Sequence, residues 1–222
     1  MADLKNVMCH KHDFPYLEDY LRSLGANTVL YDHGHVFRDS KYTFIRRVPY
    51  GIRGEITFIN TEQLSVHSKL KEFLSYVGER TTVYDYSFEN IRISGIGTFL
   101  PYQEQPEETA QLKICLMQPK THDFALIGTP SEHRTNIIDK LEKRGYTVCH
   151  VHGWNAERDR QVGTCRALLN IHYNEHYQMY ESIRCDRWRF AGMKIFSEAC
   201  IDNVEGVTFV DDFSTFQFDL AS

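Results

Sequence analysis

The sequence predicts an α/β protein of two doubly wound lobes, the first of them shortened. Three observations carry that reading. From residue 123 onward, short apolar runs alternate with amphipathic stretches, as in linked βαβ units. Gly145 and Gly192 stand where the first and third helices of this half turn back into strands. Polar and charged residues then lie just beyond the apolar runs: Asp32 and His33 after Thr28–Tyr31, Ser131–Arg134 after 123–128, Glu198 after 194–197. In a parallel sheet that edge is where ligands bind, and helix N-termini there favour phosphate.

Element by element, the apolar run Asn6–His10 opens the first half as a strand. Asp13 stands in a capping position ahead of Phe14, Leu17, Tyr20, Leu21 and Leu24, which recur at helical spacing until Gly25. Thr28–Tyr31 makes a second strand. Tyr42–Val48 and Ile56–Ile59 follow as strands around a Pro/Gly turn at Pro49–Gly51. Ser68–Tyr76 reads as a helix, Thr82–Tyr84 as a strand, and Ser87 as the cap of a short helix through Ile93. Pro101–Thr109 reads as the connection between the halves, dividing the chain into 1–109 and 110–222, with Gln111–Gln118 a short strand or irregular crossover. The second half is more regular. Strands at 123–128, 146–151, 166–171 and 194–197 alternate with helices at 132–144, 156–162 and 179–190, and Val207–Val210 adds a last strand. A further helix is expected after it, but few residues follow.

Composition narrows the function. In 222 residues, 42% hydrophobic content suffices for a core, and a net charge of −5 argues against a nucleic-acid-binding protein. Six cysteines lack C-x-x-C spacing, which suits packed, reduced thiols in a cytoplasmic protein. No run is long enough to span a bilayer, and no apolar leader opens the chain. The sequence has no GxGxxG after its first strand, no GxxxxGK[ST] and no GxSxG, which disfavours the common dinucleotide, P-loop and serine-hydrolase sites.

Several residues could carry chemistry. Arg134, in the first turn of a helix after strand 123–128, can set a fixed charge beside free backbone N–H groups, a place for a diphosphate; a surface ion pair with Glu132 or Asp139 fits equally. On that reading, Arg134→Ala should sharply lower turnover and leave the fold intact. Glu181 and Arg184 share a helix face, as ligand contacts or as an ordinary ion pair. Glu198 ends a strand, where a carboxylate can accept both hydroxyls of a ribose. His172 reads as a ligand contact or a packed histidine, and Trp154 as a base-stacking or packing ring. His10/His12 and His33/His35 form H-x-H pairs, yet no further ligand completes a metal quartet around them. One of these histidines, Asp32 or Glu62 could act as a general base on an acceptor hydroxyl.

With these residues in place, the sequence resembles a glycosyltransferase-like family of bacteria and large DNA viruses with the GT-B architecture of two Rossmann-like lobes. The landmarks are FINTEQLS (58–65), VYDYSFENI (83–91), FALIGTPSEHR (124–134), CRALLNIHY (165–173), YESIR (180–184) and KIFSE (194–198), in order over most of residues 56–198. The resemblance implies transfer of a sugar from a nucleotide-diphosphate donor to a hydroxyl of a glycan or glycoprotein, with no metal or other cofactor required. It sets Arg134 and Arg184 at the diphosphate, Glu181 and Glu198 at the sugar or ribose, and Gly128, Trp154, His172 and Tyr180 around the donor. Glu62 and Asn60 would line the cleft, and Glu62, His12, Asp32 or His33 would supply the base. The chain departs from the family in its short first lobe and its missing last helix, as a compact form or one domain of a larger polypeptide would. Two other classes stay open: a non-catalytic sugar- or nucleotide-binding module, and a His-dependent metal hydrolase.

Overall fold

A computed structural model describes Leu4 and residues 6–220. The chain divides into two compact units, Met1–Gln103 and Glu104–Ser222. Each is an α/β layer structure around its own parallel sheet, Rossmann-like in general kind.

The first unit runs β1 (Val7–His10), α1 (Phe14–Ser23), β2 (Thr28–Tyr31), β3 (Lys41–Ile45), β4 (Glu55–Asn60), α2 (His67–Tyr76), β5 (Thr81–Asp85), α3 (Phe88–Ser94) and β6 (Thr98–Phe99). Its sheet order is β2-β1-β3-β4-β5-β6, with every adjacent pair parallel. Met8, Phe44, Phe58, Leu64, Phe73 and Val83 fill one core layer. β3 is shorter than the Tyr42–Val48 run suggests: the Arg46 N–H still bonds the Ile59 carbonyl of β4, but its left-handed backbone (φ 66°) turns the chain out of the strand there. Asp13 does not cap α1 with its side chain; its carboxylate turns instead to Arg46 and Arg47. Ser87 does cap α3, accepting the Asn90 N–H.

The second unit runs α4 (Pro106–Leu116), β7 (His122–Ile127), α5 (Glu132–Lys143), β8 (Val148–Val151), α6 (Asn155–Gly163), β9 (Cys165–Asn170), α7 (Ser182–Phe190), β10 (Lys194–Glu198) and β11 (Val207–Val210). The order β11-β10-β9-β7-β8, all parallel, is the doubly wound arrangement in which strands one and three are neighbours. Alternate strand residues feed opposite layers: Ala125, Leu168 and Ile195 face Leu112, Val162 and Trp188 of α4, α6 and α7, whereas Phe124, Leu169 and Phe196 face α5. Arg187, only 4% exposed, ties α7 to Glu108 of α4 and Asp159 of α6.

A further expectation fails here. Residues 111–118 are not a strand or irregular crossover but mostly belong to α4, opened by Pro106 and carrying Glu107 and Glu108 in its first turn. The last helix is missing through residue 220, as the sequence reading had it, and residues 211–220 pass over the α5 layer and pack aromatic rings on it. Phe218 meets Phe124 and Phe196 edge-on at 4.9 and 5.0 Å between ring centroids.

Candidate functional site

In the second unit the strand order reverses between β7 and β9, the position where such sheets usually hold ligands. Here Arg134 fills it. The guanidinium is 3% exposed; Nε and Nη2 donate to the Ile171 carbonyl at 3.0 and 2.9 Å, and Nη1 donates to Thr129 at 2.6 Å. Gly128 is required directly beneath: a Cβ there would lie 2.5 Å from Nη1, and its φ of 143° suits glycine. Arg134 therefore braces the loops after β7 and β9 to each other instead of facing an open diphosphate site. Its backbone N–H donates to Ser131 Oγ, which caps α5.

The open pocket lies to one side, beyond the carboxyl ends of β9, β10 and β11. It measures about 450 Å³, and its walls include His133, Lys140, His172, Glu198 and Asp212. One face of α5 supplies His133, Asn136, Ile137 and Lys140, which recur at helical spacing. Glu198 is the centre of the arrangement. Its Oε1 meets His133 Nε2 at 2.7 Å, and its Oε2 accepts the His172 backbone N–H at 2.6 Å. Burial holds the His172 imidazole below its ordinary pKa, so the ring is neutral near pH 7. Its Nε2 lies 3.2 Å from the Ala199 carbonyl, which sets Nε2 as the protonated nitrogen.

The other candidates on this unit do not line that pocket. Glu181 and Arg184 pair with each other at 3.6 Å. Tyr180 is a core ring, 2% exposed, with its hydroxyl 3.2 Å from Asp186; it does not present a donor contact. Trp154 stands exposed at the start of α6. The basic cluster at Arg184, Arg187 and Arg189 is matched by Glu181, Glu108 with Asp159, and Asp186.

On the first unit the equivalent reversal lies between β1 and β3, and again a buried ionic group occupies it. Asp13, 6% exposed, receives Arg47 Nε at 2.6 Å and Arg46 Nε at 3.4 Å. Arg46 also reaches Glu62 at 2.5 Å, and Lys69 reaches Glu62 at 3.3 Å. The Glu62 carboxylate is thus engaged by two cations. His12, Asp32 and His33 lie on exposed loops; Asp32 pairs with Lys11 at 2.8 Å, and the His33 ring lies 4.9 Å from that of His10. Asn60 is buried and bonds to Asp85 at 2.7 Å, so it supports the loop beneath Glu62 and does not face solvent.

Sequence reading missed two groups. His133 was passed over beside Arg134, although a side chain one residue earlier on α5 is the one that reaches Glu198. His122, Cys149 and Cys165 come within 4.8 Å of one another through their ligand atoms, across three strands. No spacing in the sequence announces that cluster, because β7 lies between β8 and β9. Among the described residues no helix is long and apolar enough to cross a membrane.

No family model matches the chain, and no solved structure matches it. Three uncharacterized proteins of Acanthamoeba polyphaga mimivirus are similar to it. One is 38% identical over 64% of this chain and 48% of its own length. A second is 37% identical over 88% of this chain and 29% of its own length, and a third 31% identical over 88% and 26%. The chain spans less than half the length of each of these relatives.

Proposed function

We propose that the chain acts as a nucleotide-sugar-dependent glycosyltransferase of the two-lobed GT-B kind, passing a sugar from a nucleotide-diphosphate donor to a hydroxyl of a glycan or glycoprotein. The observation that carries this reading is Glu198. A carboxylate at the end of a central parallel strand, fixed by the His172 N–H and by His133 on the wall of a 450 Å³ pocket, suits the paired hydroxyls of a ribose. Lys140, which also faces Asp212, and the first turn of α5 on the same wall would meet the diphosphate, a part the sequence had given to Arg134 and Arg184. Placing the departing diphosphate there stabilises its charge as the sugar leaves. The first unit would hold the acceptor, with Glu62 as its base if acceptor binding draws Arg46 and Lys69 away.

A non-catalytic binding module is the second reading, favoured by the ionic pairing of Glu62 and by relatives more than twice as long as the matched region. One experiment addresses both. Nucleoside diphosphates and their sugars are screened by thermal shift, then tested for donor hydrolysis and transfer. The transferase reading expects one base to raise the melting temperature, Glu198→Gln to weaken that ligand by about tenfold or more, and the donor to turn over. Binding without turnover across acceptor glycans would favour the module, and no binding by any nucleotide or nucleotide sugar would refute the transferase.

A further inference from the structure

We propose that His122, Cys149 and Cys165 form a zinc site that clips β7, β8 and β9 together at their amino-terminal ends. The ligand atoms already lie within 4.8 Å of one another. Tetrahedral zinc with bonds of about 2.0–2.3 Å to nitrogen and sulfur needs only a modest contraction from that spacing. The chemistry of the set is selective, since two thiolates and an imidazole suit a thiophilic ion and not calcium or magnesium. Two thiolates also neutralise a divalent ion, so the bound site buries no net charge.

The surroundings are built for it. His122 Nδ1 lies 3.0 Å from Thr121 Oγ1, which orients the ring and leaves Nε2 as the coordinating nitrogen. Ala125 lies on β7 in register with Cys149, and its small side chain leaves room for the sulfurs of β8 and β9 to approach across the central strand. Lys120 is anchored by the Leu116 and Gly163 carbonyls at 2.7 and 2.8 Å, and its charge favours the Cys165 thiolate. A thiol binds a metal ion only as its thiolate, so Cys149 and Cys165 must each lose a proton to coordinate. Metal binding therefore releases two thiol protons to solvent, with no change of oxidation state. His122 and Cys149 are only partly buried, which leaves a path for the ion and a water in the fourth position.

The site begins β7 and β9, whereas the Glu198 pocket lies beyond the opposite ends of the strands, so its role is to hold the sheet and does not depend on the transferase reading. The test uses the full chain under reducing conditions, titrated with Co²⁺ as a spectroscopic probe and with Zn²⁺ in competition. One equivalent of Co²⁺ should give a sulfur-to-metal charge-transfer band and tetrahedral d–d bands, Zn²⁺ should displace it, and the melting temperature should rise. Cys149→Ala and His122→Ala each remove a half-buried ligand and should weaken Co²⁺ by more than the roughly 10–100-fold expected for loss of an outer hydrogen bond. His10→Ala and His12→Ala should leave it unchanged. Absence of the charge-transfer band, or binding indifferent to Cys149→Ala and His122→Ala, overturns the proposal.

Discussion

Arg134 marks the point at which a residue's charge and its surroundings part company. Its sequence position, in the first turn of a helix after a strand, is that of a phosphate ligand, and only its burial shows three hydrogen bonds to two carbonyls instead. Arg134→Ala should therefore destabilise the protein, leaving the Ile171 and Thr129 carbonyls buried without a donor at a cost of about 2–4 kcal/mol, read as a lowered urea midpoint. That outcome reverses the expectation of a folded but inactive variant; an unchanged midpoint would restore it. A second prediction concerns His172. Burial depresses its pKa in the folded state, so the unfolded chain binds a proton that the native state refuses. Its contribution to stability is complete above the ordinary value of about 6.5 and declines as pH falls toward the depressed folded value. His150 is shifted in the same direction, again chiefly by burial. Melts recorded from neutral to mildly acid pH should show the loss, and His172→Gln should flatten part of it. The position of Glu198 was legible because strand ends can be read from hydrophobic runs. The partners of Arg134 were not, because carbonyls leave no mark in a sequence.

At the level of elements, the two first-half landmarks used for recognition turn out to bind each other. Asp85 accepts from Asn60 at 2.7 Å, from Asn90 at 2.8 Å and from the Ser87 N–H at 2.9 Å, while Asn90 accepts the Leu64 N–H at 2.7 Å and donates to the Glu62 carbonyl at 2.8 Å. FINTEQLS and VYDYSFENI thus form one buried polar network joining the end of β4 to the start of α3. Asn90→Ala strips partners from Asp85, Leu64 and Glu62 together, and should cost roughly 2–4 kcal/mol in chemical denaturation; a cost within about 0.5 kcal/mol would show the network to be dispensable. Strong periodicity or a clear cap made most elements readable, as with β2, α3 and β11. α4 was not. Its apolar residues do not keep to one stripe: Leu112 is buried, while Ile114 and Met117, at and just after its end, are 68% and 83% exposed. The helix signal lay in Pro106 and the two glutamates behind it, which a reading by hydrophobic period overlooks.

For the whole molecule, the two units share a strand order that has little visible counterpart in sequence, since the first replaces two crossover helices with the loops 32–40 and 46–54. Each has its own core and sheet, so residues 104–222 expressed alone should fold, with cooperative thermal unfolding as the measurement and a molten spectrum as the contrary result. The shared order also bears on biosynthesis. β1 and β7 are the first strands of their sheets to leave the ribosome, yet each ends up between two neighbours, β2 with β3 and β8 with β9. Parallel pairing offers no hairpin to shelter them in the interval. The apolar segment His122–Ile127 must wait with one edge bare until Cys165–Asn170 has been translated, through all of α5, β8 and α6. The nascent chain is therefore most prone to aggregation partway through its second unit, and slowed translation there would lengthen the exposure.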